Sequence, residues 1–151
     1  MKRCTKVDNL ESKIKLMLGR IVKLEKHADT NGKLIAIEKT GERFGFDIKR
    51  VYYIYGTKAG IVRGKHAHKA LKQLLICVSG SCVIHLDNGL GESQEVPLSN
   101  PDEALVLEST IWREMYDFSK DCVLLVLASE EYTEDDYFRN YEDFIRYVNK
   151  K

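Results

Sequence analysis

The sequence predicts an all-β domain that ends in a short C-terminal helix. Three observations lead to this fold class: six short runs rich in β-branched and aromatic residues, turn residues between the runs, and no segment long enough for a crossover helix. Parallel strands need such crossovers, so the pattern favours an antiparallel barrel or sandwich. The six runs are RVYYIYG, AGIVRGKHAH, KQLLICVSG, SCVIHLDNG, EALVLES and CVLLVLAS.

Two further extended runs precede these six, over 21–27 and 33–40. Asn31 and Gly32 lie between the two runs, and an Asn-Gly pair is a strong turn signal. Earlier still, the spacing predicts a short helix that Gly19 interrupts. Asn9 would be the cap of this helix. Its apolar face would consist of Leu10, Ile14, Met17 and Leu18.

The end of the chain predicts a helix. Tyr137, Phe138, Tyr141, Phe144 and Ile145 recur at helical spacing, and a start signal over 133–136 precedes them. The acidic run EEYTEDD is interpreted as the solvated beginning of this helix, where carboxylates favour the N-terminal dipole. No chemistry is assigned to it.

Composition and charge narrow the range of functions. A chain of 151 residues with 44% hydrophobic residues is long enough for one packed core. Lys and Arg number 24 against 23 for Asp and Glu, so no overall field attracts nucleic acid or an anionic membrane. The charged N-terminus predicts neither a signal peptide nor a membrane span, which favours the cytoplasm.

Cysteine usage also favours a reducing compartment. The four cysteines contain no CxxC pair, which disfavours a zinc knuckle, and we expect reduced thiols. They are Cys4, Cys77, Cys82 and Cys122.

Two histidines lie two residues apart in GKHAHK, so a strand would place both imidazoles on one face. His66 and His68 also stand at fixed distances from Gly60, Gln73 and Gly80. That spacing resembles the first motif of the cupin superfamily, G(x)5HxH(x)4E(x)6G, with Gln73 in place of the glutamate. The resemblance implies a small jelly-roll antiparallel β-barrel with the histidines directed into its mouth.

Two of the four positions that bind metal in ordinary cupins are changed in this chain. Gln73 offers a neutral amide where the family has a carboxylate, and Arg113 stands where the third histidine belongs. A permanent cation repels a metal ion, so we expect no metal and no cofactor. The alternative is a weakly held metal on His66 and His68.

A closer resemblance covers the chain from about residue 21 to its end. The phrases FDIKRVYYIYG, RGKHAHKALKQLLICVSGS and WREMYDFSKDCVLLVLASEEYTEDDYFRNYEDF are similar to the WxcM-like nucleotide-sugar 3,4-ketoisomerases. The resemblance implies a single cupin domain over 21–151, preceded by an extension of unknown role over 1–20. It also implies conversion of TDP-4-keto-6-deoxyglucose to a 3-keto sugar through an enediol, for 3-amino-3,6-dideoxyhexose biosynthesis.

The resemblance assigns catalytic roles to three residues. His66 corresponds to the family's principal base, His68 lines the same pocket and shares the proton transfer, and Tyr52 faces the sugar. Histidine near its ordinary pKa suits proton transfer beside a carbonyl, and a phenol stabilises the developing oxyanion.

Five further residues are expected to contact the substrate. Arg63 is assigned to the diphosphate and Gln73 to the hydrogen-bonding cluster, while Arg113 is expected to hold the diphosphate or the oxyanion. Several relatives have histidine in place of Arg113. Asn31 and Lys33 lie in a stretch expected near the sugar ring and are candidates for specificity at C4. The family also implies a homodimer with exchanged N-terminal strands.

Other functions stay open at this point. A non-catalytic sugar-binding cupin would use His66 only as a hydrogen-bonding group. A 3,5-epimerase would act on the same substrate without moving the ketone, and an iron-dependent dioxygenase would need stoichiometric metal.

Overall fold

The fold consists of two five-stranded antiparallel sheets that face each other, together with a separate hairpin. A computed structural model describes residues 17–150. The strands are β1 (Gly19–Lys23), β2 (Lys26–Asp29), β3 (Gly32–Ile35), β4 (Arg50–Tyr55), β5 (Arg63–His68), β6 (Gln73–Ser79), β7 (Cys82–Asp87), β8 (Ser93–Leu98), β9 (Glu103–Leu107), β10 (Trp112–Tyr116), β11 (Val123–Ala128) and β12 (Tyr137–Phe138). The helices are α1 (Thr40–Phe44), a 3-10 turn (Glu134–Asp136) and α2 (Tyr141–Val148).

The first sheet has the strand order β1-β9-β6-β11-β4, and the second has the order β12-β5-β10-β7-β8. Their facing sides enclose the main core, which includes Leu75 and Leu124 from the first sheet and Ile84, Leu86 and Met115 from the second. In β7, inward residues are buried and alternate with half-buried ones, the pattern that a half-covered strand requires. The all-β jelly-roll fold is confirmed, but as a sandwich of two sheets instead of one closed barrel.

The early part of the chain differs in detail from the prediction. The run over 21–27 divides between β1, which pairs with β9, and β2, which pairs with β3 in the hairpin. The run over 33–40 ends as strand at Ile35, and its last residue, Thr40, begins α1. Strand β8 was not predicted, because SQEVPL is polar and contains Pro97, which an edge strand tolerates.

The folded unit begins earlier than residue 21. Leu18 is buried and Gly19 pairs with Leu107 of β9. The predicted N-terminal helix lies mostly outside residues 17–150, and its last two residues, Met17 and Leu18, are not helical. None of the helices within 17–150 is long and apolar enough to cross a membrane.

The C-terminal helix begins later than predicted, and this changes the site. Helix α2 starts at Tyr141, where the Asn140 side chain accepts a hydrogen bond from Asp143 N at 3.1 Å. The expected start at 133–136 forms only the 3-10 turn, because the Thr133 side chain makes no capping hydrogen bond. Tyr137 instead lies in β12 opposite His68.

Candidate active site

A β-bulge in β5 sets the direction of His66. The pairing of β5 with β10 shifts by one residue, so that Arg113 pairs with His66 and Glu114 with Gly64. Gly64 and Lys65 take left-handed conformations, with φ of 84° and 52°. A Cβ on Gly64 would lie 2.9 Å from the Arg113 carbonyl oxygen, so glycine is needed here. Bulges of this kind redirect side chains beside active sites.

The hydrogen bond of His66 fixes its tautomer. Its Nδ1 lies 3.0 Å from the carbonyl oxygen of Gly64, which can only accept, so Nδ1 carries the proton. Nε2 therefore has the lone pair, and it is buried without a partner among residues 17–150. Burial and the positive charge of Arg113 lower the pKa of His66 to about 4. The ring is neutral at pH 7 and able to accept a proton.

His68 lies behind His66 and is fully buried. Its Nδ1 is 2.9 Å from Oδ2 of Asp136, so a neutral His68 donates to the carboxylate. Burial and the Arg113 charge lower the pKa of His68 to about 2. The two imidazole rings meet edge to face with centroids 4.8 Å apart, which confirms that both histidines lie on one face.

A hydrogen-bonded chain connects three further residues behind the cavity. The Arg113 guanidinium donates to Oε1 of Gln73 at 2.7 Å, and Nε2 of Gln73 donates to the Tyr52 hydroxyl oxygen at 2.9 Å. Arginine has only donors, so it must face the amide oxygen, and the amide nitrogen must face Tyr52. The Tyr52 oxygen accepts that bond, and its own O–H remains able to donate to a ligand.

A cavity of about 370 Å³ opens in front of this cluster. Its lining includes Tyr52 and His66 together with three arginines, Arg50, Arg63 and Arg139. Clefts of this size bind small molecules, and clustered arginines favour phosphate groups. The cavity therefore combines a neutral base, a phenol donor and local positive charge.

The cavity contains some of the predicted residues and omits others. His66, Tyr52 and Arg63 line it as expected. His68, Gln73 and Arg113, which were expected in the pocket, are fully buried behind its wall instead. These three side chains can be buried because the hydrogen bonds described above satisfy polar atoms of each of them.

Asn31 and Lys33 lie elsewhere in this chain. Both line a separate cavity of about 460 Å³ on the β2–β3 hairpin, together with His27 and Leu34. The hairpin pairs with neither large sheet within residues 17–150, so these two side chains do not join the cavity of the same chain.

Sequence reasoning missed several residues of the site. Arg50 precedes Tyr52 by two positions in the same strand, so alternation could have identified it. Tyr132 and Asp136 come from the run EEYTEDD, to which no chemistry was assigned, and Tyr137 and Arg139 come from the segment predicted as the C-terminal helix. Tyr137 packs against His66 and His68 at centroid distances of 5.0 and 4.3 Å, and no sequence periodicity indicated this contact.

Fold and cavity together define a jelly-roll protein with an acid–base site suited to an anionic ligand. The chain belongs to the FdtA family, described as WxcM-like, C-terminal, whose model matches residues 17–149. The resemblance found in the sequence motifs is thereby confirmed.

Individual relatives point to the same group. The TDP-4-oxo-6-deoxy-α-D-glucose-3,4-oxoisomerase of Aneurinibacillus thermoaerophilus is 46% identical over 134 residues, covering 89% of this chain and 95% of that protein. A 3,4-ketoisomerase from Thermoanaerobacterium thermosaccharolyticum, solved as a histidine-to-asparagine variant with TDP-4-keto-6-deoxyglucose, has a TM-score of 0.85 and 43% identity, covering 90% and 97% of the two chains. A 3,4-ketoisomerase from Helicobacter canadensis has a TM-score of 0.83 and 44% identity, covering 88% and 98%.

Proposed function

We propose that this protein is a sugar-nucleotide 3,4-ketoisomerase that converts TDP-4-keto-6-deoxyglucose to a TDP-3-keto-6-deoxyhexose. The observation that carries the proposal is the His66 ring, held as a neutral base at the edge of an arginine-lined cavity. Its relatives' reported activity and the bound substrate of one relative support the same conclusion.

In the proposed reaction, Nε2 of His66 removes the proton at C3 of the sugar. Electrons from the broken C–H bond form the C3–C4 double bond, and the C4 carbonyl oxygen becomes the oxyanion of an enediolate. The Tyr52 O–H donates to a substrate oxygen and stabilises this charge. A proton from the histidine pair is then delivered to C4, while the proton of the C3 hydroxyl is transferred to the C4 oxygen. The product has a ketone at C3 and a hydroxyl at C4.

The unpartnered Nε2 atoms support this role for the histidines. A buried nitrogen with a free lone pair costs free energy when no donor or proton reaches it. Both His66 and His68 retain such an atom within the part of the chain that the structure describes. We propose that substrate satisfies Nε2 of His66, and that His68 positions the His66 ring and assists proton transfer.

The buried Arg113 and Gln73 are proposed to act through Tyr52. Burial lowers the pKa of Arg113 to about 10, which still leaves the guanidinium charged at pH 7. Its charge orients the Gln73 amide, and burial together with this charge lowers the pKa of both histidines. Arg63, Arg50 and Arg139 are proposed to bind the diphosphate directly, since all three line the cavity.

We also propose that the enzyme is a homodimer with exchanged N-terminal strands, located in the cytoplasm. Strand β4 ends one sheet and exposes Val51, Tyr53 and Tyr55, a surface that a second copy would cover. Exchange would bring the β2–β3 hairpin to the partner's cavity, where Asn31 and Lys33 would influence specificity at C4.

Product analysis in deuterated water tests the proposed function. Incubation with TDP-4-keto-6-deoxyglucose should move the carbonyl to C3 and incorporate deuterium at C4, both visible by NMR. Deuterium at C3 or C5 with the ketone still at C4 would indicate an epimerase instead. Absence of carbonyl transfer by the folded protein would refute the isomerase function.

A further inference from the structure

Three buried cysteines meet in the core, away from the histidine site. Cys77 ends the inward-facing part of β6, Cys82 begins β7, and Cys122 immediately precedes β11. Their exposed fractions are 0%, 2% and 4%. All three sulfur atoms lie within 4.8 Å of one another, and Sγ of Cys77 and Sγ of Cys122 are 3.6 Å apart.

The distances fit a central ion better than they fit a disulfide. Three sulfurs bound at about 2.3 Å around one ion in a plane lie roughly 4 Å apart. In this chain one pair of sulfurs is 3.6 Å apart and no pair is more than 4.8 Å apart. A disulfide needs its sulfurs at about 2.05 Å, so a pair would have to approach by more than an ångström. A trigonal ion would need only small shifts.

The donor set selects the kind of ion. Within residues 17–150, no histidine, aspartate or glutamate joins the three thiols, so the site offers soft sulfur ligands alone. Such ligands disfavour Mg²⁺, Ca²⁺ and Mn²⁺, whereas Cu(I) prefers them. Structural Zn²⁺ takes four ligands in a tetrahedron, and residues 17–150 provide no fourth such ligand at this place.

From this geometry we infer that Cys77, Cys82 and Cys122 form a binding site for one Cu(I) ion. Binding exchanges S–H protons for copper–sulfur bonds, releases those protons to the buffer and transfers no electrons.

Hydrogen bonds join the two chain segments that carry the cysteines, the turn between β6 and β7 and the loop before β11. The turn at Gly80 and Ser81 is joined to Ser119 by two hydrogen bonds, one from Ser119 N to Ser81 O and one from Ser81 N to Ser119 Oγ, each 2.9 Å. Cys122 N also donates to Ser119 O at 3.1 Å. Opening of these few bonds is the route that we propose for the ion to reach the sulfurs.

Anaerobic titration of the reduced full-length protein with Cu(I), buffered by a chromogenic chelator, tests the site. We expect ultraviolet thiolate-to-copper absorption that reaches a plateau at one copper per chain. Copper X-ray absorption should show three sulfur neighbours at about 2.3 Å. Failure to compete with the chelator, nitrogen neighbours, or tighter binding of Zn²⁺ at these sulfurs would overturn the inference.

Variants locate the ion independently. Cys77→Ala and Cys122→Ala should lose the absorption band, while the matched control Cys4→Ala, outside residues 17–150, should keep it. Circular dichroism shows whether the alanine variants fold. If they do not, Cys77→Val replaces them, because the valine side chain fills the space in the core. His66→Asn should bind copper normally. Retained copper in Cys77→Val, or loss in Cys4→Ala or His66→Asn, would overturn the assignment.

Discussion

The front and the back of the histidine site differ in what their polar groups do. In front, His66, Tyr52 and Arg63 line the cavity and are at least partly accessible. Behind them, His68, Gln73 and Arg113 are fully buried and bound to other protein groups. Residues of one sequence motif therefore have two different places. Some line the cavity, where a ligand would bind, and the others hold these cavity residues in position from behind.

The largest effect should come from the front, at His66. His66→Asn removes the proposed base while it keeps a polar side chain of similar size, so turnover should fall about 100-fold or more. Steady-state kinetics with TDP-4-keto-6-deoxyglucose measures this. His85→Asn, on the outer face of β7, is the matched control and should stay near the parent rate. Equal losses in both variants would contradict the assigned base.

A smaller but still large effect should come from the back, at Arg113. Arg113→Met removes the charge that orients Gln73, and loss of a charged hydrogen bond of about 1.5–3 kcal/mol corresponds to roughly a 10–100-fold lower kcat. The same change removes a positive charge that lowers the pKa of His66. The acid limb of kcat/KM, near pH 4 in the parent, should therefore move upward towards the ordinary histidine value of 6.5.

This shift distinguishes a positioning role from general damage. Arg146→Met on α2, where Arg146 pairs with Glu142 and Asp143 at the surface, is the control. Arg146→Met should leave unchanged both kcat and the acid limb of the pH profile of kcat/KM. A lower rate in Arg113→Met with the limb still near pH 4 would contradict the electrostatic part of the proposal.

Asp136 should show an intermediate effect of about tenfold on kcat, since the Asp136→Asn variant weakens one charge-assisted hydrogen bond. The Asp136 carboxylate holds the Nδ1 proton of His68. Nitrogen NMR of the His68 ring should detect a mixed tautomer in the variant. The exposed neighbour Asp135 provides the control Asp135→Asn, and an unchanged His68 tautomer in Asp136→Asn would refute this role.

The smallest effect should arise at the cavity rim, at Arg139. Arg139 already pairs with Glu134 and stacks on Tyr137 with its guanidinium carbon 4.3 Å from the ring centroid. Because that pairing and solvent reduce its net attraction for a diphosphate, Arg139→Gln should raise KM about fivefold with kcat nearly unchanged. A fall in kcat with unchanged KM would place Arg139 in the chemical step instead.

The sequence was sufficient for the fold class and for three of the residues that line the cavity, His66, Tyr52 and Arg63. Periodicity of two, turn residues and the spacing of His66 and His68 depend on local geometry, so they can be recognised without coordinates. Gly60 and Gly80, whose spacing belongs to that motif, have φ of 78° and 67°, a left-handed conformation that glycine adopts without strain.

The back of the site could not be predicted in the same way. The contact of Asp136 with His68 joins residues 68 positions apart in sequence. It depends on the short strand β12, which local propensity assigned to the helix. Burial of Arg113 likewise depends on how β5, β6 and β10 come together, and a charged residue in sequence is ordinarily expected at the surface.

The bulge at Gly64 and Lys65 makes the length of β5 critical. Successive residues of a strand point to opposite faces of the sheet. If the one extra residue of the bulge were removed, every residue of β5 on one side of the deletion would point to the opposite face. With the beginning of β5 held in place, such a deletion would put Ala67 and Lys69 where the imidazoles now lie, or it would force the strand to slip against β10. Engineering of this enzyme can therefore substitute residues along β5, but it cannot shorten or lengthen that strand without dismantling the site.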